Sequence, residues 1–163
     1  MSKRSRRRVM PEPFEVEIER LSHDCRGICH LNGKIVFVFA ALPGERVKIQ
    51  INKTNKTYAE ASVIEVIRAA PERIKPHCPH FSVCGGCSMQ HVDQHTQLAL
   101  KQQTVLEMIE HAGIAVGEVL DPITSTAWGY RRKARLGVKF VKKKGRLLVG
   151  FRERNKPYLA DIQ

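Results

Sequence analysis

From residue 14 the chain alternates. Phe14, Val16 and Ile18 fall on one side of an extended segment and Glu15, Glu17 and Glu19 on the other, which predicts a half-buried strand. Asn32-Gly33 is a hairpin turn signal, and the apolar run 35–39 predicts the strand that follows it. Pro43-Gly44 predicts another turn. Val47, Ile49 and Ile51 alternate with Lys48 and Gln50, giving a third strand. Residues 52–56 read as a polar loop, and the β-branched stretch 58–67 as a fourth strand. Short strands at regular spacing predict a small β-barrel near residues 12–68.

The pattern then changes. Residues 71–79 are proline-rich and read as a link. Residues 94–112 predict a helix, with Leu98, Val105, Ile109 and Ala112 on one face, Asp93 as N-cap and Gly113 as the stop. Residues 114–129 carry no period. Ala134, Leu136, Val138 and Phe140 then alternate with Arg135 and Lys139, and Leu147, Val149 and Phe151 alternate again after a turn at 142–146. That is a basic β-hairpin, in which Arg131, Lys133 and Arg135 would share the face opposite Ala134 and Leu136. The fold class expected is mainly β, with an α+β second part.

Charge sharpens the picture. The 163-residue chain carries a net +12, and the excess is clustered. Lys3, Arg4, Arg6, Arg7 and Arg8 give +5, and residues 130–156 hold twelve Lys or Arg against Glu153 alone, giving +11. Clustered cations on an otherwise near-neutral chain are the footprint of a polyanion binder; a solvated surface that merely confers solubility is the plainer alternative for any single lysine. The candidate RNA contacts are Arg131, Arg132, Lys133 and Arg135 near the start of the hairpin and Lys142, Lys143, Lys144 and Arg146 at its tip. Phe37, Phe39 and Tyr58 are candidates for base stacking, or core residues. Residues 1–11 are expected to be a flexible basic tail.

Five cysteines remain to be placed: Cys25, Cys29, Cys78, Cys84 and Cys87. The odd number and the spacing do not suit a secreted disulfide scaffold. No apolar run reaches the roughly 18–20 residues of a membrane span, and no signal-peptide core follows the basic start. A reducing cytoplasm and no membrane partner are expected. Cys78, Cys84 and Cys87 lie within ten residues, with Gly85-Gly86 in the last gap. Soft thiolates at this density suit an iron–sulfur cluster or zinc. Three thiolates are one short of the usual [4Fe-4S] set. Cys25, Cys29, another chain or a residue not present here are alternatives for the fourth; His77, His80 or His91 would complete a zinc site. Three inert buried thiols are the bland alternative.

At these residues a family resemblance enters. The run Cys78-Pro-His-Phe-Ser-Val-Cys84-Gly-Gly-Cys87-Ser-Met-Gln90-His91, preceded by Pro71-Glu72-Arg73, resembles the cluster motif of bacterial RNA uracil-C5-methyltransferases. Trp128-Gly129-Tyr130-Arg131-Arg132-Lys133-Ala134-Arg135-Leu136 and Val149-Gly150-Phe151-Arg152 are similar to the same family. Asn32-Gly33-Lys34 and Leu42-Pro43-Gly44-Glu45 resemble a TRAM domain, an OB-like RNA-binding barrel. The resemblance implies three parts: a basic tail over 1–11, a TRAM barrel over 12–70, and an iron–sulfur segment with an incomplete central RNA-binding domain over 71–163. It implies 23S ribosomal RNA as partner, a monomer, and a [4Fe-4S] cluster on Cys78, Cys84 and Cys87. The fourth cysteine would then follow shortly after Gln163, and Cys25 and Cys29 would be incidental thiols.

In such enzymes a cysteine adds to C6 of a uracil, C5 takes the methyl of S-adenosylmethionine, and a base removes the C5 proton. The target base must first leave its stack. The Rossmann-like domain that does this is absent from this chain, so no catalytic and no cofactor-binding residue is assigned and S-adenosylmethionine is not expected to bind. The alternatives are a free-standing RNA-binding module with a structural metal, and an iron- or redox-responsive RNA binder.

Overall fold

A computed structural model describes residues 12–162; the expected flexible tail, residues 1–11, lies outside the described residues. The chain divides into two compact units, one built from residues up to Ser22 with Arg26–Pro71, the other from His23–Cys25 with the chain from Glu72 onward.

The first unit is a six-stranded mixed sheet: β1 (Phe14–Glu17), β2 (Arg20–Leu21), β3 (Gly27–Leu31), β4 (Lys34–Phe39), β5 (Arg46–Thr54) and β6 (Tyr58–Arg68). The spatial order is β1-β5-β6-β4-β3-β2. Only β4 and β6 run parallel; the other pairs are antiparallel. The alternation in sequence has a physical cause here. Val16, Val36, Val38, Val47, Ile49 and Ala61 point inward and are almost fully buried. The polar partners point out, where Glu15 pairs with Arg46 at 2.9 Å, Glu17 with Arg68 at 3.2 Å and Glu19 with His30 at 2.9 Å. Asn32 and Gly33 both take positive φ, 51° and 72°, as the two-residue turn between β3 and β4 requires. Three register shifts along the β5–β6 ladder add bend to the sheet.

The two ends of the strand order are β1 and β2, and only Ile18 and Glu19 separate them in sequence. Ile18 N–H donates to Glu45 O (2.9 Å), beside β5, while Glu19 N–H donates to Ile28 O (2.9 Å) on β3. One bent segment therefore hydrogen-bonds to both sides of the sheet. No ladder among the described residues joins the two edges directly.

The expected polar loop at 52–56 is shorter than that. β5 runs to Thr54, because Lys53 and Thr54 still pair with Glu60 and Ala59 across a tight turn.

The second unit holds one helix, α1 (Gln94–His111), and one hairpin, β7 (Gly137–Val141) with β8 (Arg146–Gly150). Asp93 caps α1 as expected: its carboxylate accepts from Thr96 N–H at 3.0 Å. Hydrogen bonds from the Thr96 side chain and then from its backbone N–H hold the Asp93 carboxyl below its ordinary pKa. The chain leaves the helix through Gly113 at φ 72°. The apolar stripe does not become core: α1 has no buried residue, and Val105 and Ala112 are exposed. The hairpin turns through a short 3₁₀ stretch, Lys142–Lys144, closed by Gly145 at φ 63°. Its cross-strand pairs Val138–Val149 and Phe140–Leu147 stand on one face and are all more than half exposed, whereas Leu148 on the other face is buried.

Arg131, Lys133 and Arg135 do not share a strand face, because β7 begins only at Gly137. Its partner Gly150 ends the ladder. Beyond it Phe151 O accepts instead from Ala160 N–H, and Arg152 O from Gly85 N–H, so residues 134–136 have no strand to pair with.

Candidate metal centre and basic surface

The three clustered cysteines sit on a closed loop. Its base is sealed by an antiparallel contact: Arg73 bridges to Val92, Ile74 N–H donates to His91 O (3.0 Å), and Asp93 N–H to Glu72 O (3.3 Å). Phe81, Met89, His91 and Val92 fill the loop and are buried, with the Phe81 and His91 rings 5.4 Å apart. Successive turns carry the thiols: Phe81 N–H donates to Cys78 O (3.2 Å), and Val83 and Cys84 N–H both to His80 O (3.0 and 2.8 Å). The Gln90 side-chain oxygen accepts from Cys78 N–H at 3.0 Å. Gly86 N–H points at Cys84 Sγ, 3.4 Å away.

A second strip of chain lies along the loop. Cys84 bridges to Glu153, Gly85 N–H donates to Arg152 O (2.9 Å), and Arg154 N–H to Val83 O (2.9 Å). The fit explains the glycine pair. A Cβ on Gly85 would stand 3.0 Å from Arg152 O, and one on Gly86 3.1 Å from the Phe151 ring.

All five cysteines are free thiols. No group of three or more His, Cys, Asp or Glu is gathered at metal-holding distance among the described residues. His77 lies against Trp128, at 4.9 Å between rings, and His91 packs in the loop interior. The donor chemistry nevertheless fits a thiophilic metal or cluster: three thiols on one loop, an N–H aimed at sulfur, and a guanidinium at the loop backbone. Cys29 has a different character. It is buried inside the first unit's sheet, and burial, with a smaller push from Glu19, raises its pKa to about 11. Burial also raises Cys25, which sits at φ 62°.

A labelling experiment separates these thiols. At pH 8 only about a thousandth of Cys29 would be thiolate, the species that alkylates. Iodoacetamide mass mapping of metal-free protein should label the exposed Cys87 first and leave Cys29 unmodified until the sheet unfolds. Equal labelling of the two would contradict the placement of Cys29.

The basic residues divide by environment. Arg131, Arg132, Lys133 and Arg135 lie on an exposed, irregular stretch before β7, with the Arg131 guanidinium 5.8 Å from the centre of the Tyr130 ring. Lys142 and Lys143 are exposed on the hairpin turn. Lys144 and Arg146 are not idle at the tip: both bind Asp161, Arg146 with two contacts of 2.5 and 2.6 Å. The hydrogen bond from Lys144 and then that from Arg146 hold the Asp161 carboxyl below its ordinary pKa. Residues 12–71 carry no net charge, with eight Lys or Arg and eight Asp or Glu. In the first unit Phe37 and Tyr58 meet edge to face at 5.7 Å, and Arg26 stacks on Phe37 at 4.5 Å. Phe39 is buried.

Arg154 escaped the sequence reading. It carries no alternation, and its partners lie about 70 residues earlier, so no local signal marks it.

Residues 12–64 match the TRAM domain family. Beyond that domain, the whole chain has relatives. Over 160 residues, 98% of this chain, it is 52% identical to the 23S rRNA (uracil(1939)-C(5))-methyltransferase RlmD of Alkalilimnicola ehrlichii. The chain matches the N-terminal, TRAM-containing portion of RlmD. The RlmD of Nitrosococcus oceani is 48% identical over 97% of the chain, and that of Stenotrophomonas maltophilia 43% over 98%. The chain spans little more than a third of these relatives, 36–37% of their length. No described helix is long and apolar enough to cross a membrane.

Proposed function

We propose that this chain is the RNA-holding part of an S-adenosylmethionine-dependent methyltransferase that forms 5-methyluridine in 23S ribosomal RNA. The observation that carries this is the 52% identity to an RlmD over nearly the whole chain. Methyl transfer itself belongs to the two thirds of the relatives that this chain does not span. The role left here is to bind and orient rRNA, as a monomer in the cytoplasm.

The pairing order supports an OB-like barrel for the first unit. The segment through Ile18 and Glu19 bonds to Glu45, next to β5, and to Ile28 on β3, so a single stretch of chain reaches both edges of the open strand order, as an OB-like barrel requires. In this reading residues 12–70 form an RNA-binding barrel, and residues 71–163 the cluster segment with part of a central RNA-binding domain. Arg131, Arg132, Lys133, Arg135, Lys142 and Lys143 neutralise phosphates; Lys144 and Arg146 do so only if they leave Asp161.

Cys78, Cys84 and Cys87 would hold a [4Fe-4S] cluster, with a fourth thiolate from beyond Gln163. When bound, the cluster supplies a rigid, multivalent staple rather than methyl-transfer chemistry. This chain's residues do the rest: the sealed base at 72–74 and 91–93 fixes the loop, and the glycine pair lets the strip at 151–154 close on it.

Anaerobic iron and sulfide analysis, with a visible spectrum, tests the site. The wild-type chain should carry iron and sulfide, and C84S should lose both. One zinc per chain with no visible band would replace the cluster by a zinc staple. Isothermal calorimetry is expected to show no S-adenosylmethionine binding, and tight binding would defeat the assignment of the cofactor site elsewhere.

A further inference from the structure

The thiol loop depends on a side chain outside it. Arg154 Nη2 donates to the carbonyl oxygens of both Cys84 (3.2 Å) and Cys87. Its backbone N–H donates to Val83 O at 2.9 Å, so the residue is anchored to the same loop at three points. The two carbonyls flank Gly85 and Gly86, the part of the loop with the widest backbone freedom. A guanidinium is a rigid planar donor, so bonding both carbonyls fixes the spacing across that free segment. Arg154 is also half-buried. Because Nη2 bonds the backbone of both cysteines, its positive charge lies against the turn that carries their sulfurs.

We propose that Arg154 is the positioning residue of the thiol loop: it sets the separation of Cys84 and Cys87 through their carbonyls and keeps a permanent positive charge beside their sulfurs. The inference rests on the metal reading of Cys78, Cys84 and Cys87 given above. The charge matters because a thiolate-bound cluster is negative and becomes more so on reduction. A fixed cation stabilises the reduced form more than the oxidised form and raises the reduction potential. Guanidinium serves this better than ammonium, because it stays charged when partly buried.

R154M and R154K separate the two roles. Methionine keeps an unbranched stem and removes both the donor and the charge; lysine keeps the charge but is shorter and lacks the planar Nη2 donor that reaches both carbonyls. The chain would be reconstituted anaerobically with iron and sulfide. Three quantities would be measured: metal content, the rate of iron loss to a chelator, and the potential by spectroelectrochemistry. Far-UV circular dichroism controls for folding. R154M should lose iron about tenfold faster than wild type, the scale seen when outer-shell partners are removed, and its potential should move to more negative values. R154K should recover the potential but not the retention, a split that a merely structural arginine would not produce. Identical retention and potential in R154M and wild type overturn the proposal. A wild-type chain that takes up no metal overturns the reading beneath it, and does so before any variant is compared. If the wild type takes up zinc instead, retention alone decides.

Discussion

Replacing Glu45 by alanine should cost the six-stranded unit about 3–5 kcal/mol. Each buried N–H left without an acceptor costs about 1–3 kcal/mol, toward the upper end where the lost acceptor is charged. Glu45 is fully buried, and its two carboxylate oxygens serve two such donors: Leu42 N–H at 2.9 Å and Ala70 N–H at 3.2 Å. Its backbone is engaged as well, accepting from Ile18 N–H and donating to Leu42 O. One residue thus ties the turn before β5, the bend between β1 and β2, and the exit from β6. A domain of this size has only about 5–15 kcal/mol in total, so the loss is a large fraction of it. E45Q should recover no more than half. Its amide keeps one acceptor but sets an NH₂ against the other N–H. Urea unfolding followed by circular dichroism measures both variants. A loss below about 1 kcal/mol for E45A would mean that water or a rearranged turn satisfies Leu42 and Ala70.

Glu45 also shows where sequence reading stops. Pro43-Gly44-Glu45 is legible as a turn, yet nothing in it says that the glutamate points inward, because Ala70 lies 25 residues on. Local periodicity served well for strands that have a partner along their whole length. β1 and β5 were visible in the alternation, β4 as an apolar run and β6 as a β-branched stretch, and Asn32-Gly33 marked the turn between β3 and β4. The parallel pairing of β4 with β6 was not visible, since register between distant strands leaves no local pattern. The basic hairpin shows the same limit. Alternation begins at Ala134, but a strand needs a partner, and Gly150 is the last residue β8 offers. In α1 the period gave the helix and its cap correctly, and the stripe is left without a buried residue because no layer of described residues covers it. The cysteine spacing located the thiol loop. The strip at 151–154 that lies along it, and Arg154 within that strip, exist only through long-range pairing.

The largest effect on binding should come from the cations that this structure leaves in solvent. Of the basic stretch 130–156, Lys144 and Arg146 are held by Asp161, Lys156 pairs with Glu153 at 2.8 Å, and Arg154 is committed to the cysteine loop. Arg131, Arg132, Lys133 and Arg135 are exposed together on one short run, beside Tyr130, whose exposed ring offers a stacking surface. If each contacts one phosphate of single-stranded RNA, each releases about 0.7 of a counterion, a factor of roughly 5 in affinity at ~0.1 M salt. Replacing all four by glutamine should therefore weaken RNA binding by roughly 10²–10³-fold and flatten the slope of log K against log salt by about 3. Fluorescence anisotropy with a 23S rRNA stem-loop between about 50 and 300 mM salt reads both quantities. K144Q with R146Q is the informative comparison, because those two charges are already spent on Asp161 and their loss should change the slope by less than 1. A quadruple variant that keeps the wild-type slope, or a double variant that matches the quadruple, would move the RNA contact from the irregular stretch to the hairpin tip.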